Sequence, residues 1–487
     1  LPQSAFETDV LIVGAGPVGL FLANECARRG LRFRIVEARA AQSEHSKALA
    51  IFPRTLEIFD MAGVAAPFLE AANRVTRVAI ASKGRTLARI PFAPENSPYP
   101  FVAMVPQDVT EKLLVEELRR KGARVEYETS LVGAAPQGDH VSATLERKGE
   151  RLETTAAYVV GSDGAHSAVR HLLNLTFEGA QYEALFLLAD VATNEALPAG
   201  EMQLCPSALG PAAIFPMSAT RRRIVATVDR PEGDVPSLDL VRRILAERAP
   251  RGLEATDLYW SSYFRIHHRQ VANLRVGRLF VAGDAAHIHS PFGGQGMNTG
   301  LADAWNLAWK LDLAVNGRAG DRLLDTYSAE RRPVIRGVIR TAHFLTEAMG
   351  TASRVAQALR DTLIPIVTRL PPFRHAFVQR LSQLGVTYSG SPIVEGTGER
   401  CFEDWMRGGK GIASRFLLLM DDRAGPEADE AAKRLAASFP EILELRPEPR
   451  RGLALVRPDG YVAFSTRRRP RPSTLERVRS LLERQTV

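Results

Sequence analysis

Eleven residues near the start constrain this chain most. Asp9-Val-Leu-Ile-Val-Gly-Ala-Gly-Pro-Val-Gly19 runs an apolar strand into three glycines, Gly14, Gly16 and Gly19, in the spacing GxGxxG. Helical periodicity then continues to Arg29, and residues 32–36 read as a second strand. Pro17 stands where a first helical turn tolerates a missing N–H, and Gly30 follows the helix as its stop. Strand, glycine turn, helix and strand within forty residues make a βαβ opening, which predicts a parallel sheet and an α/β fold.

The spacing has a chemical purpose. Glycines let the turn tighten around Val18 and let the backbone approach a pyrophosphate, whose charge the helix N-terminus stabilises. Glu37 ends the second strand, where a carboxylate accepts from a ribose 2′-OH and repels the 2′-phosphate of NADP. The dinucleotide expected here is therefore FAD or NAD, with Arg39 counted among its candidate ligands. The choice between them comes from residues 277–300. There a strand ends at Gly283, Asp284 is presented at its carboxyl end, and a glycine-rich turn through Pro291 feeds a second helix. The N-terminus of that helix, at Gly294, Gly296, Met297 and Asn298, offers N–H groups to negative charge of the kind a reduced flavin carries at N1 and C2=O.

These residues resemble the "GD" motif of the class A flavoprotein aromatic hydroxylases, the para-hydroxybenzoate hydroxylase group, in which the Asp matched by Asp284 holds the ribityl chain. Tyr158-Val-Val-Gly-Ser-Asp-Gly-Ala-His-Ser-Ala-Val-Arg170 is similar to that family's "DG" motif, whose Asp, matched by Asp163, is associated with FAD and NAD(P)H. Gln107, opening a helix, resembles a glutamine on the FAD ribose or pyrophosphate, and Pro291 a proline whose carbonyl lies near flavin and substrate. Tyr327-Ser-Ala-Glu-Arg-Arg-Pro333 looks like the family's structural helix after the FAD domain. Lys47 departs from the pattern: an arginine often stands there, and lysine keeps the charge but loses the planar fork.

The resemblance covers essentially the whole chain and implies three parts. A Rossmann-like FAD-binding domain takes residues 1–176 and 270–385 with a helical extension. An inserted antiparallel-sheet substrate domain takes 177–269, joined by part of 75–106. Residues 390–487, with Val456-Arg-Pro-Asp-Gly-Tyr-Val462, resemble the thioredoxin-like C-terminal domain of the subgroup acting on polyketides and larger phenols. Without CxxC no thiol redox activity is expected there. The pattern along the chain agrees: a helix over 108–121, strands at 124–127 and 158–161, alternation at 223–228 and 258–266, a helix over 300–315, helices from 321 to about 384 interrupted near Pro333 and Pro371, then strands at 415–420, 453–456 and 461–464.

Composition narrows the partners. At 487 residues, 45% hydrophobic and 24% charged, the chain has the make-up of a multidomain globular enzyme. The net charge of +8 is read as scattered arginine, with Arg221 to Arg223 and Arg467 to Arg469 in solvated turns, which argues against nucleic acid. With no apolar run of about 18 residues, no membrane is expected as a partner, and Cys26, Cys205 and Cys401 carry neither disulfide nor metal spacing, so a cytoplasmic setting is expected. His287 and His289 lack a third ligand and read as structural or flavin-loop residues. His267 and His268 read equally as pocket lining or as surface residues, and Trp305 and Trp309 as core.

What the resemblance implies for function is an FAD-dependent monooxygenase consuming NAD(P)H and O2 to hydroxylate a small phenolic or polyketide-type aromatic. NAD(P)H reduces FAD, oxygen adds at C4a of the flavin, and the distal oxygen of the hydroperoxide attacks an electron-rich ring carbon. No position matches a substrate-activating base. A Baeyer–Villiger oxygenase of the same fold and a non-catalytic flavin or ligand scaffold stand as alternatives, and a flavin halogenase lacks its Trp-x-Trp-x-Ile-Pro motif.

Overall fold

A computed structural model describes residues 6–43, 46–288, 290, 293–351, 353–409, 413–421, 424–448 and 452–486, with backbone alone at 180–183, 266, 267, 354 and 486. The opening segment folds as its pattern requires. Strand Thr8–Val13 is buried along its whole length, because parallel neighbours flank it and helices cover it. Helix Pro17–Arg28 returns the chain antiparallel, and strand Phe33–Val36 lies beside the first in parallel register. On its other side runs strand Glu150–Gly161, followed by Leu279–Val281, also parallel. The order is therefore 33–36, 8–13, 150–161, 279–281 within a seven-stranded sheet, and two distant stretches of sequence meet in one layer.

A second sheet of eight strands is mainly antiparallel. Its centre is the pair Phe177–Thr193 and Ala255–Val271, each 17 residues long, with Arg221–Val228 and Ala212–Pro216 completing the floor. Strands Arg77–Ser82 and Arg85–Pro91 join its far edge. A four-stranded sheet closes the chain in the order Leu443–Glu448, Phe416–Asp421, Leu453–Val456, Val462–Thr466. The first two of these strands are parallel, linked by helix Pro426–Ser438, and the others antiparallel.

Several local expectations need correction. Residues 124–127 make one bridge, Val36 to Glu126, and no strand. The hairpin Thr129–Gln137 with His140–Arg147 is an addition to the sequence reading, and its local signal is the two-residue loop Gly138-Asp139, with Gly138 at φ +60. Pro333 does not interrupt helix Asp321–Met349. Proline removes one N–H, leaving the Ala329 carbonyl unpaired, but Ala329 and Pro333 lie on the exposed face, where water satisfies it. Buried Tyr327, Glu330, Arg331 and Ile335 hold the opposite face continuous. Arg222 and Arg223, expected in a solvated turn, are buried strand residues.

Helix Pro17–Arg28 packs against helix Gly296–Val315 through Trp305, which is 2% exposed and has Arg28 and Arg29 over its ring. Glu25, buried below, pairs with both arginines. Burial alone would raise its carboxyl, but the two guanidinium groups outweigh it and bring the pKa from 4.5 to about 2. A carboxylate more acidic folded than unfolded stabilises fully above the unfolded value and loses its contribution as pH falls through the folded one. Urea unfolding of wild type and Glu25→Gln across this range is expected to show a difference that is largest above pH 4.5 and shrinks toward pH 2. A difference independent of pH would exclude the pair as the source of acid sensitivity.

Candidate active site

Four parallel strands end along one edge. Val13 is level with Val36 and with Gly161, and Gly161 is level with Val281. The residues that follow, Gly14, Glu37, Ser162 with Asp163, and Gly283 with Asp284, therefore emerge side by side at the carboxyl ends, where open α/β sheets bind ligands. A cavity of about 860 Å³ opens there. Gly14, Gly16, Val18, Glu37, Arg39, Lys47, Gln107, Asp163, Asp284, Gly294, Gly296 and Met297 all line it. Its far wall is one face of the eight-stranded sheet, with Phe215, Arg223 and Val225, completed by Leu49 and Ile288.

The three glycines of the turn answer to different constraints. Gly14 has φ +100, and a Cβ there would lie 2.5 Å from the Ser162 carbonyl oxygen. Gly19 lets the helix sit on the turn, since its Cβ would fall 2.0 Å from the Gly14 oxygen. Gly16 is open: a Cβ built on it meets nothing within 4 Å, and its φ of −75 and ψ of −179 suit any residue. Nothing in the protein requires glycine at position 16, so the space above it is a cradle that a side chain would fill.

Glu37 is fixed at the neighbouring strand end. It accepts from the Ala15 N–H at 2.7 Å and from the Arg39 side chain at 2.9 Å. Burial works against its ionised form, yet these bonds and the Arg39 N–H hold the carboxyl below the usual range. Gln107 opens helix Gln107–Arg120 and clasps the loop opposite: its Oε1 accepts from the Ala48 N–H at 3.1 Å, and its Nε2 donates to Glu111 at 3.0 Å.

Asp163 has two roles at once. One oxygen accepts from the N–H groups of Ala168 and Val169, capping helix Ala168–Leu172. The other is buried without a hydrogen-bond partner among the described residues. Burial raises its pKa against these bonds, so a ligand hydroxyl donating there would complete its shell. Asp284 stands open to the cavity yet closely walled by protein, and that enclosure raises its carboxyl above the ordinary range, with His287 and Lys47 opposing. The Gly283–Asp284 turn is held from beneath by Asp303, which accepts from the Gly283 N–H at 3.2 Å, from Arg331 Nε at 2.7 Å, and contacts His287 Nε2 at 2.7 Å. Gly283 and Gly300 both lack a Cβ that would strike Val18, so two helix N-termini converge on the same space.

Other predicted positions fall elsewhere. Gly19 is a packing residue, and Asn298 does not line the cavity. Its side chain accepts from the Phe52 N–H and Thr55 Oγ1 and donates to the Ala50 and Gly294 carbonyls, so its hydrogen-bonding capacity is spent on holding residues 50–55 to helix Gly296–Val315. Pro291 and His289 lie outside the described residues, as does the side chain of His267. His268 packs against His343 in a tilted ring pair with centroids 5.6 Å apart, away from the cavity lining. Trp305 and Trp309 are core.

The sequence reading missed the sheet wall. Arg223 makes a two-bond pair with Asp190, at 2.7 and 2.8 Å, and donates to the carbonyls of Lys47 and Ala48 at 3.2 and 3.1 Å. It thereby ties the loop bearing Lys47 to the floor of the pocket. The available signal was the alternation beginning at residue 223, which sets Arg223 and Val225 on one face.

Known proteins match the chain over most of its length. The FAD_binding_3 family, described as an FAD binding domain, matches residues 7–342. The 6-methylpretetramide 4-monooxygenase of Streptomyces rimosus is 34% identical, over 99% of this chain and 95% of its own. A 12-dehydrotetracycline 5-monooxygenase/anhydrotetracycline 6-monooxygenase of Streptomyces rimosus subsp. rimosus is 33% identical, over 94% and 95%. Among solved structures, the OxyS anhydrotetracycline hydroxylase from Streptomyces rimosus superposes with a TM-score of 0.80 at 31% identity, covering 98% of this chain and 99% of that one.

Proposed function

This chain belongs to the FAD_binding_3 family of FAD binding domains, and from that footing we propose that its 860 Å³ cavity holds FAD along the strand ends and a polycyclic phenol against the sheet wall. The chain is an FAD-dependent monooxygenase of the aromatic and polyketide-hydroxylating kind, with a mixed α/β fold. Bound FAD supplies the acceptor for two electrons from NAD(P)H and, once reduced, the activation of O2.

The residues fit that cofactor. The open cradle at Gly16 with the helix N-terminus at Pro17 suits a diphosphate, and Glu37 with Arg39 suits the adenosine ribose. Gln107 and Asp284 lie where hydroxyls of the linker would run, and the unpaired oxygen of Asp163 accepts one more donor. The N-terminal turn of helix Gly296–Val315, with Gly294 and Met297, faces the ring end and favours negative charge there. These assignments rest on a single observation: the glycine turn, Asp284 and the sheet wall share one cavity.

At the sheet wall the chain's own residues exclude water and orient the substrate. Leu49, Phe215, Val225 and Ile288 make an apolar surface, and Arg223 adds one cation that Asp190 neutralises. A flat aromatic with a phenolic oxygen toward Arg223 suits this wall, and the names of the two relatives point to fused-ring polyketides of that chemistry. We read the eight-stranded sheet as the substrate domain inserted into an FAD domain. The β-α-β-β-β-α order of residues 416–486 supports a thioredoxin-like unit. The three buried free cysteines suit a reducing cytoplasm, and among the described residues no helix is long and apolar enough to cross a membrane.

Purified protein is expected to bind FAD and to oxidise NADPH or NADH faster when a fused-ring phenol is present, with one atom from isotopically labelled O2 in the product. Failure to take up FAD on reconstitution would overturn the reading, and a ring-expanded lactone as product would reassign it to Baeyer–Villiger chemistry.

A further inference from the structure

One of the stretches that carry a local excess of positive charge coincides with an exposed apolar face. Between residues 332 and 384 the sequence carries eight arginines against Glu347 and Asp361, a balance of +6 out of the chain's +8. The same stretch exposes large apolar side chains. On helix Arg354–Val367, Val355, Leu359, Leu363 and Ile366 are 79, 58, 43 and 55% exposed, at a spacing that sets them on one face. Leu370 and Phe373 follow at 51 and 39%.

The opposite face of that helix is anchored. Gln357 and Thr368 are buried, Asp361 accepts from Ser82 Oγ at 3.0 Å, and Arg360 donates to the Met349 carbonyl at 3.2 Å. The apolar stripe therefore points away from the body of the protein. Arg336, Arg340, Arg369, Arg374 and Arg380 have no carboxylate within 4.0 Å among the described residues, while the two acidic groups of the stretch are already engaged with His343 and Arg360. Arg369 and Arg374 bracket Leu370 and Phe373 directly.

We propose that this face docks on an anionic lipid surface, with Val355, Leu359, Leu363, Ile366, Leu370 and Phe373 entering the headgroup boundary and the unpaired arginines meeting lipid phosphates. An amphipathic helix with aliphatic residues on one face and arginines around it has the make-up of an interfacial helix. A protein partner fits less well. Stable protein interfaces draw on tyrosine and tryptophan anchors, and residues 344–373 contain neither. The docking is peripheral, and it revises the expectation that no membrane takes part. It does not depend on the cofactor or substrate assigned above.

The test uses the full chain sedimented with vesicles of phosphatidylglycerol and phosphatidylcholine in equal parts, and with phosphatidylcholine alone. The protein is expected to partition about tenfold more strongly onto the anionic vesicles at low salt, and to be released as salt rises. Leu363→Glu with Ile366→Glu, both at exposed positions, is expected to lower that partitioning at least about tenfold with an unchanged Tm. Leu359→Glu alone serves as an independent variant. Arg369→Ala with Arg374→Ala should weaken the anionic preference. Absence of binding to anionic vesicles, binding indifferent to lipid charge, or equal binding by the glutamate variants overturns the proposal. A doubled mass by light scattering that the glutamate variants abolish, without vesicle binding, gives the face to a second copy and also overturns it.

Discussion

Gly16→Val is expected to leave the apoprotein folded while lowering FAD affinity about a thousandfold or more, roughly 4 kcal/mol. The argument is the contrast among three glycines of one turn. A side chain at Gly16 meets no protein atom within 4 Å and needs no unusual backbone, so the folded state accommodates it. The same side chain projects into the cavity beside the helix N-terminus, where a diphosphate would have to approach the backbone. Gly19→Ala behaves oppositely: its methyl would lie 2.0 Å from the Gly14 oxygen and 2.4 Å from Ser162 Oγ, so the loss falls on the fold itself. Calorimetry of both apoproteins and titration with FAD separate the two effects. Wild-type affinity in Gly16→Val would mean that the diphosphate lies elsewhere, and with it the proposed placing of the cofactor would fail.

What the sequence made legible was local. A glycine turn between strand and helix has a spacing set by backbone sterics within a few residues, so Gly14, Gly16 and Glu37 are readable in isolation, and Asp284 is readable as an acid ending an apolar strand. That these ends are neighbours follows from registers linking residue 13 to 161 and 161 to 281, which no window of sequence contains. The sheet wall was illegible for the same reason. Arg223 belongs to a run of three arginines, and only pairing with Asp190 across the sheet distinguishes it from a solvated one. Asn298 shows another side of this limit: its N–H stands in the first turn of helix Gly296–Val315, as its position suggests, while its side-chain amide is claimed by backbone groups of the fold, which no local pattern signals. Pro333 was read by its local cost, which a helix anchored along its buried face absorbs.

The same long helix supplies the largest stability effect expected. Glu330 is completely buried and accepts from Arg457 through two nitrogens at 2.6 and 2.9 Å, from Lys310 at 2.7 Å, from Asn306 at 2.8 Å and from Ser391 at 2.6 Å. Asp459, paired with Arg457, balances the second cation, and the Trp305 ring nitrogen donates to the Asp459 carbonyl. The cluster thus joins helices Gly296–Val315 and Asp321–Met349 to the hairpin of the C-terminal sheet. Glu330→Ala leaves two buried cations facing one carboxylate, and is expected to destabilise by about 3–5 kcal/mol. Burial already pushes the Lys310 ammonium from 10.5 down to about 8 against the attraction of Glu330. Without Glu330 that value falls further and Lys310 sheds its proton near neutrality. A base less basic folded than unfolded binds fewer protons in the native state, so stability of the variant should rise with pH through this range more steeply than that of wild type. Adding Lys310→Met removes the unmatched cation and should recover part of the loss and flatten that slope, which thermal unfolding at several pH values would read. Equal slopes in all three proteins would show that the cations are solvated in the native state, and the cluster would then not be what holds the last sheet in place.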